Sequence, residues 1–161
     1  LVTALGCGVM ALLTGDSGYG HVVLGVILIS SGMALGFPTS TAAIVGSLPL
    51  DKAGVASAVN DTTREVGSAV GIALLGSLLS AGYRRGLGNA LDQAPAEMAE
   101  FARDSVGAAL VVAQRAPAGV GDHIAATARD AFANGYSLAM TAGTALLALT
   151  GTIVIRRWPA D

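Results

Sequence analysis

The residues best equipped for chemistry stand together in one apolar stretch. They are Asn60, Asp61, Arg64 and Glu65, within the run Gly54-Val55-Ala56-Ser57-Ala58-Val59-Asn60-Asp61-Thr62-Thr63-Arg64-Glu65-Val66-Gly67-Ser68-Ala69-Val70-Gly71-Ile72-Ala73-Leu74-Leu75-Gly76. On a helix, Asp61 and Arg64 are three residues apart and can pair on one face. An ionisable side chain at the centre of a bilayer costs roughly 3 kcal/mol, so one that is kept there tends to have a job. Counting back about 20 residues, one span, from Tyr83 reaches Arg64. If Tyr83 marks one membrane interface, where aromatics are favoured, the charged cluster falls near the other one, where charge is cheaper. Two readings follow: a gating or inter-domain salt bridge, or an ordinary snorkelled, solvated cluster. Gly67 and Gly71 form a G-x-x-x-G step, with Gly76 beyond it. Small residues at this spacing let helix backbones approach closely. They serve either plain packing or a sliding interface used in transport.

Other chemistry is sparse. His21 and His123 have no second ligand at helical spacing, so no metal site is expected, and His21 suits an interfacial position near a helix start. Cys7 is the single cysteine, which excludes an intrachain disulfide or a cysteine-based zinc site; it reads as a small apolar filler. No Ser/His/Asp set, phosphate loop or Cys/His box is present, so neither an enzyme nor a cofactor is expected. A net charge of −2 provides no basic field for nucleic acid.

The elements that must carry the cluster follow from where charge is missing. Hydrophobic residues make up 53% of the 161 residues and charged ones 12%, about half the usual share. Mean hydropathy is +0.65. Ser17–Leu50, Val66–Tyr83 and Ala131–Ile155 hold no charge at all. A spanning helix needs about 20 mostly apolar residues. The pattern predicts an all-α, polytopic transmembrane bundle: a partial spanning helix over 1–15, and spans over 21–47, 54–83 and 132–155. The turn Thr14-Gly15-Asp16-Ser17-Gly18-Tyr19-Gly20 makes the first two antiparallel. Pro38 removes a backbone donor and should kink or break the second span.

The chain begins at Leu1 inside an apolar run with no basic stretch before it, which reads as a truncation and not as a signal peptide.

Residues 84–131 change character, with five Arg, six acidic residues, Pro95 and Pro117. This segment is expected to be a solvent-side loop. Pro95 suits a first helical turn and Glu97 and Glu100 its positive end. Met98, Phe101, Ala102, Val106 and Ala109 recur at a spacing that suits a helix lying on the membrane surface. Asp122 is an expected N-cap for the last helix. Arg156, Arg157 and Trp158 close that helix as an interfacial anchor, in a tail over 156–161. Lys52, Arg156 and Arg157 on one side balance Arg84 and Arg85 on the other, so charge alone does not orient the chain.

The string Pro38…Ser47-Leu48-Pro49…Ala53-Gly54-Val55-Ala56-Ser57-Ala58-Val59-Asn60…Arg64-Glu65-Val66-Gly67…Gly71-Ile72-Ala73…Gly76 resembles the C-terminal part of the major facilitator superfamily. It is most similar to the fourteen-helix drug:proton antiporters. The likeness is strong from Gly36 to Gly76 and weak over 86–121. It implies helices eleven (partial) to fourteen of a multi-pass protein of the bacterial inner (plasma) membrane. It also implies a cytoplasmic Lys52 and Arg156-Arg157 tail, with the long loop outside. It implies a secondary transporter with the lipid bilayer, the missing N-terminal helices, protons and a hydrophobic or cationic small-molecule substrate as partners. The usual proton-carrying acidic residues would lie in the missing part. The alternative is a small, non-transporting membrane protein acting as a structural or interaction subunit.

Overall fold

The computed structural model describes residues 1–14, 17–92, 94–117 and 119–157. Six α-helices follow one another: α1 (Val2–Ala11), α2 (Tyr19–Gly46), α3 (Ala53–Leu87), α4 (Ala96–Asp104), α5 (Val106–Arg115) and α6 (Val120–Arg157). A single 3-10 turn, Leu50–Lys52, leads into α3 behind Pro49. At 1.5 Å per residue, α2, α3 and α6 are about 42, 52 and 57 Å long, against a hydrocarbon core of about 30 Å. All three are long and apolar enough to cross a membrane. Gly15 and Asp16 of the expected turn, and Trp158 of the expected anchor, lie outside the described residues.

Small residues set the packing. α1 lies against α2 so closely that a methyl group on Gly6 would come within 2.7 Å of Ile29, and one on Gly25 or Gly32 would collide with Met10 or Thr3. α6 buries a single seam, Gly121, Ile124, Ala128, Ala131, Gly135, Ala139 and Gly143, at steps of three and four. That spacing keeps one face of a helix turned to its neighbours. Opposite this seam, Gly82 and Gly86 of α3 meet Gly135 and Ala131. Side chains staple the same end of the bundle: His21 Nε2 bonds the Val9 carbonyl at 2.6 Å, and the Ser137 hydroxyl donates to the Ala11 carbonyl. Both oxygens belong to the last turn of α1, where the regular i→i−4 ladder ends and the Leu12 amide reaches Val9 at 3.2 Å.

α2 runs through Pro38 without a break, contrary to a reading of Pro38 as a helix breaker. The Thr39 hydroxyl donates to the carbonyls of Leu35 and Gly36, at 3.0 and 2.9 Å, in the turn that the proline weakens. Such side-chain bonds are one way a membrane helix tolerates proline.

Residues 84–131 carry the expected helix within a packed cap. Tyr83, Leu87 and Leu91 from the end of α3, Ala99 and Ala102 from α4, Ala109, Val112 and Ala113 from α5, and Ile124, Ala128 and Ala131 from α6 bury one another in a single core. Here α6 begins at Val120, two residues ahead of its expected cap Asp122 and a dozen ahead of the span expected over 132–155; Asp122, Arg129 and Asp130 ride its exposed face while Ile124 and Ala128 turn inward. Asp122 therefore sits inside the first turn and not at the cap position, and Pro95 stands just before α4 and not within it. The expected surface helix is divided at Ser105, whose extended backbone ends α4 and whose Oγ accepts from the Ala108 amide at 3.1 Å to cap α5. Ala102 and Ala109 face the cap core, leaving Phe101 half exposed. Tyr83, the expected interface aromatic, is buried, and its hydroxyl donates to the Ala102 carbonyl at 2.9 Å.

Candidate functional site

The charged cluster rides the half of α3 remote from the cap. Tyr83 and Arg64 are separated by 19 residues, about 28 Å along the helix axis. Ala56 and Asn60 are the buried residues of this half. Asn60, only 6% exposed, donates from Nδ2 to Asp61 Oδ1 at 3.3 Å. From Asp61 to Val70 every residue is exposed.

Arg64 does not pair with Asp61. Its guanidinium carbon stands 4.7 Å from the centre of the Phe37 ring on α2, inside the roughly 6 Å range of a cation–π contact. Spacing of three made the carboxylate reachable, but the long arginine side chain crosses to the neighbouring helix. Among the described residues the ion pairs all lie in the cap: Arg84 with Glu100 at 3.5 Å and Asp104 at 3.2 Å, and Arg103 with Glu100 at 3.6 Å. Those carboxylates offset the basic end of α3. Glu65, like Asp61, keeps an exposed carboxylate with no cation against it among the described residues.

The glycines divide in the same way. A methyl group on Gly67, Gly71 or Gly76 would meet nothing within 4 Å, so among the described residues no helix packs against them. The close approach is made by Gly82 and Gly86, a second G-x-x-x-G step. A methyl on either would lie 2.6 Å from Gly135 Cα or from Ala131 Cβ. Sequence reasoning passed over this pair. The signal was the complementary run Ala128, Ala131, Gly135, Ala139 and Gly143 on α6. Phe37 was missed too, being 27 residues from the arginine it touches. Among the described residues no group of three or more His, Cys, Asp or Glu side chains is placed to hold a metal ion.

Three long apolar helices packed through small residues, with a charged cap at one end, define a multi-pass α-helical membrane protein. No protein-family model and no solved structure matches the chain. Several proteins of known sequence do, among them the following three. The multidrug efflux pump LfrA of Mycolicibacterium smegmatis is 33% identical over 116 residues, 72% of this chain and 23% of the relative. The multidrug resistance protein Stp of Mycobacterium tuberculosis is 30% identical over 148 residues, 87% of this chain and 28% of the relative. The methyl viologen resistance protein SmvA of Salmonella typhimurium is 34% identical over 114 residues, 68% of this chain and 22% of the relative. The chain belongs to this family of bacterial multidrug efflux and resistance proteins of the major facilitator type, and it spans about a quarter of the length of the curated relatives it matches.

Proposed function

We propose that the chain is the C-terminal part of a multidrug efflux transporter that exchanges a hydrophobic or cationic small molecule for protons. In this reading two helical bundles rock around a site near the bilayer midplane, and α1, α2, α3 and α6 belong to the second bundle. The cap lies outside the cell, and Lys52, Arg156 and Arg157 lie on the cytoplasmic side. Asn60, Asp61, Arg64 and Glu65 form a polar lock near that side, closing against helices supplied by the remainder of the transporter. Gly67, Gly71 and Gly76 then give those helices room for close approach.

The observation that carries this reading is the bare segment Asp61–Val70. It holds three charges, none ion-paired among the described residues, on a helix whose other half is zipped to α6. Val66 and Val70 on the same segment are more than half exposed, so solvation of the charges alone does not account for it. A face that mixes apolar and ionisable groups beside lipid calls for a protein partner. The names of the relatives support export of several compounds.

The test is Arg64→Ala in the full-length transporter. Dye efflux is expected to fall while the amount of protein in the membrane stays unchanged. Efflux and drug resistance equal to the parent would overturn the lock. A protonophore is expected to abolish efflux; efflux that persists would remove the proton coupling.

A further inference from the structure

We propose that Phe37 is the positioning residue of the lock: its ring face holds the Arg64 guanidinium across the α2–α3 contact while the carboxylates Asp61 and Glu65 stay free for other partners. The inference rests on the reading of Arg64 given above.

Arg64 has a carboxylate three residues before it on its own helix and does not take it, while Glu65, the next residue, points to another side. Instead the Arg64 guanidinium lies 4.7 Å from the Phe37 ring centre. A ring is a weaker partner than a carboxylate, and that difference gives the arrangement its use. Cation–π attraction is strong enough to orient a guanidinium and weak enough to release it when a carboxylate arrives. Asn60 adds to the separation, since its buried amide donates to Asp61 on the neighbouring position. Phe37 also precedes Pro38, where α2 lacks one backbone hydrogen bond and bends at least cost. The ring is thus carried on the stretch of α2 best able to shift toward or away from α3. The two charge partners of Arg64, ring and carboxylate, define two discrete arrangements of one side chain, which is what a lock that opens and closes requires.

The test replaces Phe37 in the full-length transporter with phenylalanines carrying one, two or three ring fluorines. Fluorine drains negative charge from the ring face and barely alters its size. Dye-efflux rate is expected to fall stepwise with fluorine number, by roughly two- to tenfold across the series. In an Arg64→Gln background the same series is expected to be flat. A flat series in the parent, with Arg64→Gln still impaired, overturns the role of Phe37 and leaves the lock standing. A slope that survives in Arg64→Gln shows the ring acting on something else and equally overturns it. Parental efflux by Arg64→Gln sinks the lock itself and this inference with it.

Discussion

The α3–α6 zipper gives the sharpest prediction, because the atoms in the way are backbone atoms. A methyl added at Gly82 would stand 2.6 Å from Gly135 Cα. One added at Gly135 would stand 2.6 Å from the Leu79 carbonyl oxygen and 2.9 Å from the Tyr83 amide nitrogen. Backbone atoms cannot rotate aside, and ordinary contact begins near 3.4 Å. The two helices must therefore part locally by something approaching 1 Å. A gap of that size forfeits a quarter to a half of the dispersion energy of each contact across it. Overpacking of this kind costs about 1–3 kcal/mol. Tyr83 and Leu87 flank the same contact and belong to the cap core, which places the cost toward the upper end. Gly82→Ala and Gly135→Ala are each expected to lose this amount in SDS-titrated unfolding of the purified full-length protein in micelles, followed by circular dichroism. The double variant is expected to lose less than the sum, since the first methyl already parts the helices for the second. Gly107→Ala in α5, where a methyl meets only the Ser105 hydroxyl at 3.8 Å, is expected to be neutral or slightly stabilising. Stability within about 0.5 kcal/mol of the parent for both zipper variants would refute the close approach, and strict additivity in the double variant would refute the shared contact.

Two predictions concern the cap. Tyr83→Phe keeps the buried ring and removes the donor to the Ala102 carbonyl, one of the last four of α4 that lack helical partners. The expected loss is about 1–3 kcal/mol, read as faster amide hydrogen exchange across α4; unchanged exchange there would show that the bond does not hold the helix. Ser105→Ala removes the cap of α5 and is expected to cost about 0.5–2 kcal/mol, with Ser105→Asp restoring protection of the Ala108 amide. Equal protection in both variants would count against capping.

Absence of charge was a reliable guide to the long helices and a poor guide to the cap. Val66–Tyr83 and Ala131–Ile155 fall inside α3 and α6, and Ser17–Leu50 contains the whole of α2 with a few flanking residues, because in lipid every backbone group must be satisfied within the segment. Over 84–131 the charges suggested a loop, yet they occupy the outer faces of α4, α5 and the start of α6. Ala99, Ala102, Ala109, Val112, Ile124 and Ala128 line the inside. A charge count cannot separate a loop from an amphipathic helix; the spacing of Met98, Phe101, Ala102, Val106 and Ala109 did point to a helix, but not to its division at Ser105 or to the core it closes with α3 and α6. At the site, the cluster itself was legible, but its pairing was not. Spacing within α3 permits Asp61–Arg64 and says nothing of Phe37, which only the antiparallel return of α2 brings within reach. For the glycines the deciding information also lies on another helix. Gly82 and Gly86 find small residues at matching steps on α6, whereas Gly67, Gly71 and Gly76 find none among the described residues.

The same contrast divides α3 into two mechanical halves. Separating its cap-side half from α6 would uncover Tyr83 and Leu87, break the Tyr83–Ala102 hydrogen bond and open a core that four helices share. At about 25 cal/mol per Å² of apolar surface, uncovering two such side chains alone costs several kcal/mol. Displacing Asp61–Val70 uncovers little, because every residue there is already exposed and Arg64 on Phe37 is the side-chain contact that the described residues show across to a neighbouring helix. What resists at the far end is the Arg64–Phe37 contact and the burial of Ala56 and Asn60, worth little beside the cap. Relative movement of α3 against α2 and α6 therefore costs least where Asp61, Arg64 and Glu65 stand, and the zipper at Gly82 and Gly135 is where it must pivot.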